Sequence, residues 1–167
     1  MDIKVFLEEL GKCRNDEKKY EYVSTHIVRH YVPYVEKMAG CKRIIEATMY
    51  HEVDGRKEFT INTPARMALY LMLAVELYTD ITYPADEVFD CFDLLIQNGV
   101  AKIIGDCIGT DYDEFRAYLD MTVMDLIDTE RDLVTWLERK FQTFGLSVDA
   151  ISNAIAKALS ENTEEAS

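Results

Sequence analysis

Apolar residues along the chain recur mostly at helical spacing. Asp2 can cap a short helix with Ile3, Phe6, Leu7 and Leu10 on its apolar face and Gly11 at its end. Asn15 can cap a second helix, with Asp16 and Glu17 in its first turn and Tyr20, Val23, Ile27 and Tyr31 facing inward until Pro33 interrupts. A third helical pattern passes through Val35, Met38, Ala39 and Ile45. The period changes between Ala47 and Ile61. There Thr48, Tyr50 and Val53 lead into Asp54-Gly55, and Phe59 and Ile61 lead out. Asp-Gly between β-forming residues predicts a hairpin, because a type I′ turn needs positive φ at both central positions.

Thr63-Pro64 reads as a helix start, a capping hydroxyl followed by proline at the first helical position. The segment from Pro64 to about Tyr78 is apolar almost all round, the signature of a central, buried helix. Pro84 opens the next helix, with Val88, Phe89, Phe92, Leu95 and Ile96, and Asn98-Gly99 ends it. A short helix through Val100, Ile103, Ile104 and Ile108 stops at Gly109. Thr110 caps the longest pattern, which reaches Phe144 with Gly145 beyond it. Its apolar face carries Phe115, Leu119, Val123, Leu126, Leu133, Val134, Leu137 and Phe141, with Glu114, Asp125, Asp128 and Asp132 opposite. Glu130 falls within the apolar face, which predicts a kink or restart near Asp128-Thr129. A last amphipathic helix holds Val148, Ile151, Ile155, Ala158 and Leu159. The expected fold is mainly α: one helical domain over residues 1–160 with a single inserted β-hairpin at about 47–61, then a polar tail over 161–167.

Composition agrees with this. The 167 residues include only 3 prolines and 7 glycines, too few for a turn-rich all-β fold. No apolar run approaches the ~20 residues that span a bilayer. The four cysteines, Cys13, Cys41, Cys91 and Cys107, form no CxxC pair, and Met1-Asp2-Ile3-Lys4 is not a basic stretch before an apolar run. Reduced thiols and a cytoplasmic setting, not secretion, are the expectation.

Charge changes the picture most. The chain carries 18 basic and 31 acidic side chains, net −13. Residues 1–75 are nearly balanced, whereas residues 76–138 hold 3 basic and 16 acidic side chains. Direct binding of nucleic acid or of an anionic membrane needs the opposite sign. The acidic stretch is either a solvated face or a recognition surface for a basic protein, with mimicry of a nucleic-acid backbone as its extreme form. Candidate partner-binding residues are Glu114, Asp125, Asp128, Asp132, Asp86, Asp90 and Asp93. Ten tyrosines, with Tyr20, Tyr22, Tyr31 and Tyr34 clustered early, suit either interfaces or half-buried core positions.

Catalytic signals are sparse. His26 and His30 stand i, i+4 on the expected second helix, but Ile27 replaces the glutamate of the metalloprotease pattern. Asp86, Glu87, Asp90, Asp125 and Asp128 could hold Mg²⁺ as in all-helical nucleotide pyrophosphatases, yet the Glu pairs and a phosphate-binding basic cluster are missing. No GxSxG or Gly-rich phosphate loop occurs. No cofactor, metal or catalytic residue is therefore assigned.

The stretch Ile45-Glu46-Ala47-Thr48-Met49-Tyr50, then Val53-Asp54-Gly55, then Phe59-Thr60-Ile61-Asn62-Thr63-Pro64-Ala65-Arg66 resembles a segment of small acidic proteins of tailed phages and prophages of Gram-positive bacteria. Those proteins are often encoded among virion structural or assembly genes. The resemblance implies a non-enzymatic protein that works by contact with other proteins, in a host cytoplasm or a virion. The expected partners are proteins with a basic surface, or further copies of this chain. An acidic inhibitor of a DNA-binding protein and a Mg²⁺-dependent pyrophosphatase are the alternatives.

Overall fold

The computed structural model of the chain describes residues 1–131. It is mainly α with one β-hairpin. In order, the elements are α1 (Ile3–Gly11), α2 (Asp16–Thr25), α3 (Tyr34–Thr48), β1 (Tyr50–Val53), β2 (Arg56–Phe59), α4 (Thr63–Tyr78), a 3₁₀ turn (Ala85–Glu87), α5 (Val88–Gln97), α6 (Val100–Ile108) and α7 (Thr110–Arg131). The chain divides into two compact units, Met1–Val123 and Met124–Ser167. Of the second unit the described part is the end of α7. The last amphipathic pattern and the tail lie outside the described residues.

Local signals position most of these ends. The Asp2 carboxylate accepts from the Lys4 amide and the Asn15 side chain accepts from the Lys18 amide, both at 2.9 Å. Asp54 and Gly55 take φ of +51° and +74°, and β1 pairs antiparallel with β2 from Tyr50↔Phe59 to Val53↔Arg56. At α4 the cap is Asn62, not Thr63. Its side-chain oxygen accepts from the Ala65 amide at 3.1 Å. Its own amide meanwhile donates to the Thr48 carbonyl, closing the base of the hairpin.

α4 is the central helix, as its composition demands. Ala68, Tyr70 to Val75 and Tyr78 are buried, and it packs against α3, α5 and α6. The first turns of α7 meet it through Phe115, whose ring lies 5.2 Å from that of Tyr70. The Tyr70 hydroxyl donates to the Tyr112 carbonyl at 2.7 Å.

Three expectations are corrected. α2 stops at Thr25 rather than running to Tyr31. Ser24 and Thr25 turn their hydroxyls back onto the Glu21 and Tyr22 carbonyls, and residues 26–29 then bond across to the end of α4. The Val28 amide donates to Tyr78 O at 2.9 Å and the Asp80 amide to His26 O at 3.1 Å. A tertiary pairing thus replaces two helical turns. Next, α3 is rotated from its expected register. Val35 is 77 % exposed, while Lys37, Gly40, Cys41, Ile44, Ile45 and Thr48 are buried. Finally, α7 runs on as helix through Asp128-Thr129 to Arg131, so no new segment starts there. The Thr129 hydroxyl bonds the Asp125 carbonyl at 2.8 Å instead of capping a new segment.

The rotation of α3 follows from one buried charge. Lys37 is 2 % exposed, and its ammonium meets the Asp111 carboxylate at the start of α7. The second Asp111 oxygen accepts from the Tyr78 hydroxyl at 2.7 Å and the Val32 amide at 2.9 Å. The Tyr31 and Tyr118 rings face the ammonium, with centroids at 5.2 and 5.8 Å.

Two stability outcomes follow. Lys37→Met leaves Asp111 buried without its counter-charge and should cost about 3–5 kcal/mol in chemical denaturation. Lys37→Met combined with Asp111→Asn should cost less than the sum of the two single changes. Gly40→Ala should also destabilise. Its Cβ would stand 2.7 Å from Leu73 Cδ2 and 3.2 Å from Phe115 Cζ. Overpacking of about 1–3 kcal/mol outweighs the roughly 1 kcal/mol that alanine gains in a helix interior. A lower midpoint on thermal or denaturant unfolding checks this.

Candidate interaction surface

The carboxylates named from the sequence do not share one environment. Asp86 sits on the 3₁₀ turn rather than on α5, whereas Asp90 and Asp93 lie on α5. All three are exposed, and none is paired with a basic side chain among the described residues. Glu87 between them is spent on Lys4, at 2.7 Å. Glu114 has an exposed side chain, but its carboxylate lies 3.5 Å from the Lys37 ammonium and belongs to the edge of the buried pair. Asp125 and Asp128 are exposed on α7 beyond Val123, in the second unit. Asp132 lies outside the described residues.

Several cations of the first unit are committed. Lys4, Lys12, Lys18, Arg29, Lys37 and Lys102 each have a carboxylate within 3.0 Å. Asp86, Asp90 and Asp93 are exposed to solvent and lie outside these pairs.

The hairpin is the second exposed feature. Among the described residues neither strand has a neighbour besides the other. Its base is tied by the Thr60 amide to Met49 O at 2.9 Å, and the Tyr50 and Phe59 rings meet edge-on at 6.0 Å. Its outer part, including His51, Glu52, Lys57 and Glu58, is exposed. Among the described residues no further strand covers either outer edge, which is the geometry that strand addition uses.

The histidine pair expected on one helix face is not formed. His26 follows the end of α2, packs edge-on to Phe6 and Tyr22 at 5.3 and 4.8 Å, and bonds Asp80 through Nδ1 at 2.8 Å. His30 is exposed in the irregular segment that follows. Among the described residues no group of three His, Cys, Asp or Glu side chains is placed to hold a metal ion. The four cysteines are free; burial pushes the Cys41 thiol up to about 11 and also raises Cys91 and Cys107. No helix among the described residues is long and apolar enough to cross a membrane.

Sequence reading missed Lys37 and Asp111. The available signal was a lysine at i, i+4, i+7 spacing with Cys41 and Ile44, in a helix otherwise apolar on that face.

Comparison of the chain with known protein families, with curated proteins and with solved structures finds no match.

Burial alone would raise the Asp111 carboxyl, but the Lys37 ammonium with the Tyr78 and Val32 donors outweighs it and holds it below 3.8. Burial likewise works to lower Lys37, and Asp111 with Glu114 outweighs it and raises it above 10.5. The depressed Asp111 contributes stability above about pH 3.8 that is lost as pH falls through its folded value. The raised Lys37 contributes stability below about pH 10.5 that is lost as pH rises through its folded value. Denaturation followed downward from pH 3.8 and upward from pH 10.5 should show the onset of both losses in the wild type. Both should be reduced in the Lys37→Met, Asp111→Asn double variant.

Proposed function

We propose that this chain is a non-enzymatic protein-binding component, an assembly protein of the phage type that its central segment resembles. It engages a basic protein surface through Asp86, Asp90 and Asp93, with Asp125, Asp128 and Asp132 extending the acidic sequence. The open hairpin edges serve as a second point of attachment. The observation that carries this reading is the state of the first three carboxylates: exposed, on adjoining elements, and without a basic partner among the described residues. Concentrated like charge of this kind costs self-repulsion, and it raises the encounter rate with an oppositely charged surface.

The test uses the full chain, tagged and captured with its partners from its native source. Partners are eluted in rising salt and identified by mass spectrometry. Basic proteins should be retained at low salt and released as ionic strength rises. Replacing Asp86, Asp90 and Asp93 together by lysine should weaken their binding by about tenfold or more. Retention indifferent both to salt and to the triple change would overturn the reading. A DNA-binding protein as the retained partner, displaced by DNA, would assign the inhibitory form of the same charge-based contact.

A further inference from the structure

A groove of about 300 Å³ opens on the first unit between α4, α5, α6 and α7. Its lining is apolar: Tyr70, Leu71 and Leu119 are buried, and Met67 and Ile96 are 61 % and 50 % exposed at its mouth. The Tyr70 hydroxyl is already used on the Tyr112 carbonyl. Charge enters from two sides, with Arg66 on α4 and Arg116 on α7.

Arg66 is unusual in this acidic protein. It is half-buried and has no carboxylate partner among the described residues. Among the described residues its guanidinium nitrogens reach Met49 Sδ, a weak acceptor, and Thr63 Oγ1, a long contact, both at 3.4 Å. Arg116 is 3.9 Å from Asp120, beyond hydrogen-bond distance, and Asp120 is the carboxylate on the lining. Arg66 thus brings unspent donors to the edge of an apolar floor, and Arg116 stands at the same edge, loosely paired with Asp120 at 3.9 Å.

We propose that this groove binds a small anionic amphiphile: an apolar chain or ring seated along Met67, Tyr70, Phe92 and Ile96, with one carboxylate held by Arg66 and assisted by Arg116. The planar guanidinium fork matches a carboxylate with two parallel bonds. The volume lies at the lower end for small-molecule sites, which are mostly apolar with a few oriented polar groups. The overall charge of the chain repels anions, so the attraction resides in these two side chains. This site is independent of the acidic carboxylates and of the hairpin.

Sodium decanoate below its micelle concentration is the probe, titrated into the full chain. Calorimetry and the methionine methyl NMR signals are the readouts. Decanoate should shift the Met67 methyl, whereas decyltrimethylammonium should not bind. Arg66→Gln, checked for retained helicity by circular dichroism, should weaken decanoate by about tenfold or more. Arg116→Gln should weaken it less. Ala101→Phe, which fills the groove wall, should abolish the shift. Three results would each overturn the proposal. These are no binding at millimolar decanoate, equal affinity for decanol and decanoate, or an Arg66→Gln protein that binds as the wild type does. Equal affinity for decanol would mark the groove as a general apolar docking face.

Discussion

The Lys37 ammonium is buried beside the Asp111 carboxylate, and four segments converge on that pair. α3 supplies the lysine and the start of α7 the carboxylate. The end of α4 supplies the Tyr78 hydroxyl, and the irregular segment before Pro33 supplies the Val32 amide. An unpaired buried charge costs several kcal/mol, so none of the four can move alone. The register of α3, the early end of α2 and the placement of α7 beneath Tyr70 are all compatible with this one arrangement. Gly40 completes it, since its missing side chain lets Leu73 and Phe115 close over α3.

What could be read from the sequence was local. Caps at Asp2 and Asn15, the Asp54-Gly55 turn and the apolar α4 are each dictated by residues within one or two turns of each other. What could not be read was long-range. Val23 continues a helical pattern toward Tyr31, yet the backbone of residues 26–29 bonds to Tyr78 and Asp80 instead. Lys37 looks like a surface residue until Asp111, 74 positions later, is placed beside it. The candidate carboxylates illustrate the same division. Their number and sign were legible, whereas the capture of Glu114 by Lys37 required the fold. Asp86 left the expected helix because the chain after Pro84 enters a 3₁₀ turn before α5 begins.

Charge in the first unit is unevenly employed. Most lysines sit beside a carboxylate, many at i, i+3 or i, i+4 on their own helix. Exposed pairs of that kind contribute little to stability. Their larger consequence is electrostatic: they cancel locally, whereas Asp86, Asp90 and Asp93 have no basic partner among the described residues. Arg66 is the counterpart, a cation left unmatched in an apolar groove. The two features support separate proposals because the first acts through solvent at long range and the second at contact.

The separation of Lys37 from Asp111 also has a meaning in time. A ribosome adds about 5–20 residues per second, so the 74 residues between them take roughly 4–15 s to make. Throughout that interval α3 exists without the group that neutralises its inward face. Its ammonium has water as the better environment, and α3 has no reason to settle in its final register. The hairpin and α4, which follow α3 directly, can form first. The arrival of Thr110-Asp111, followed closely by Phe115, then turns α3 from a helix with a solvated lysine into one that faces inward.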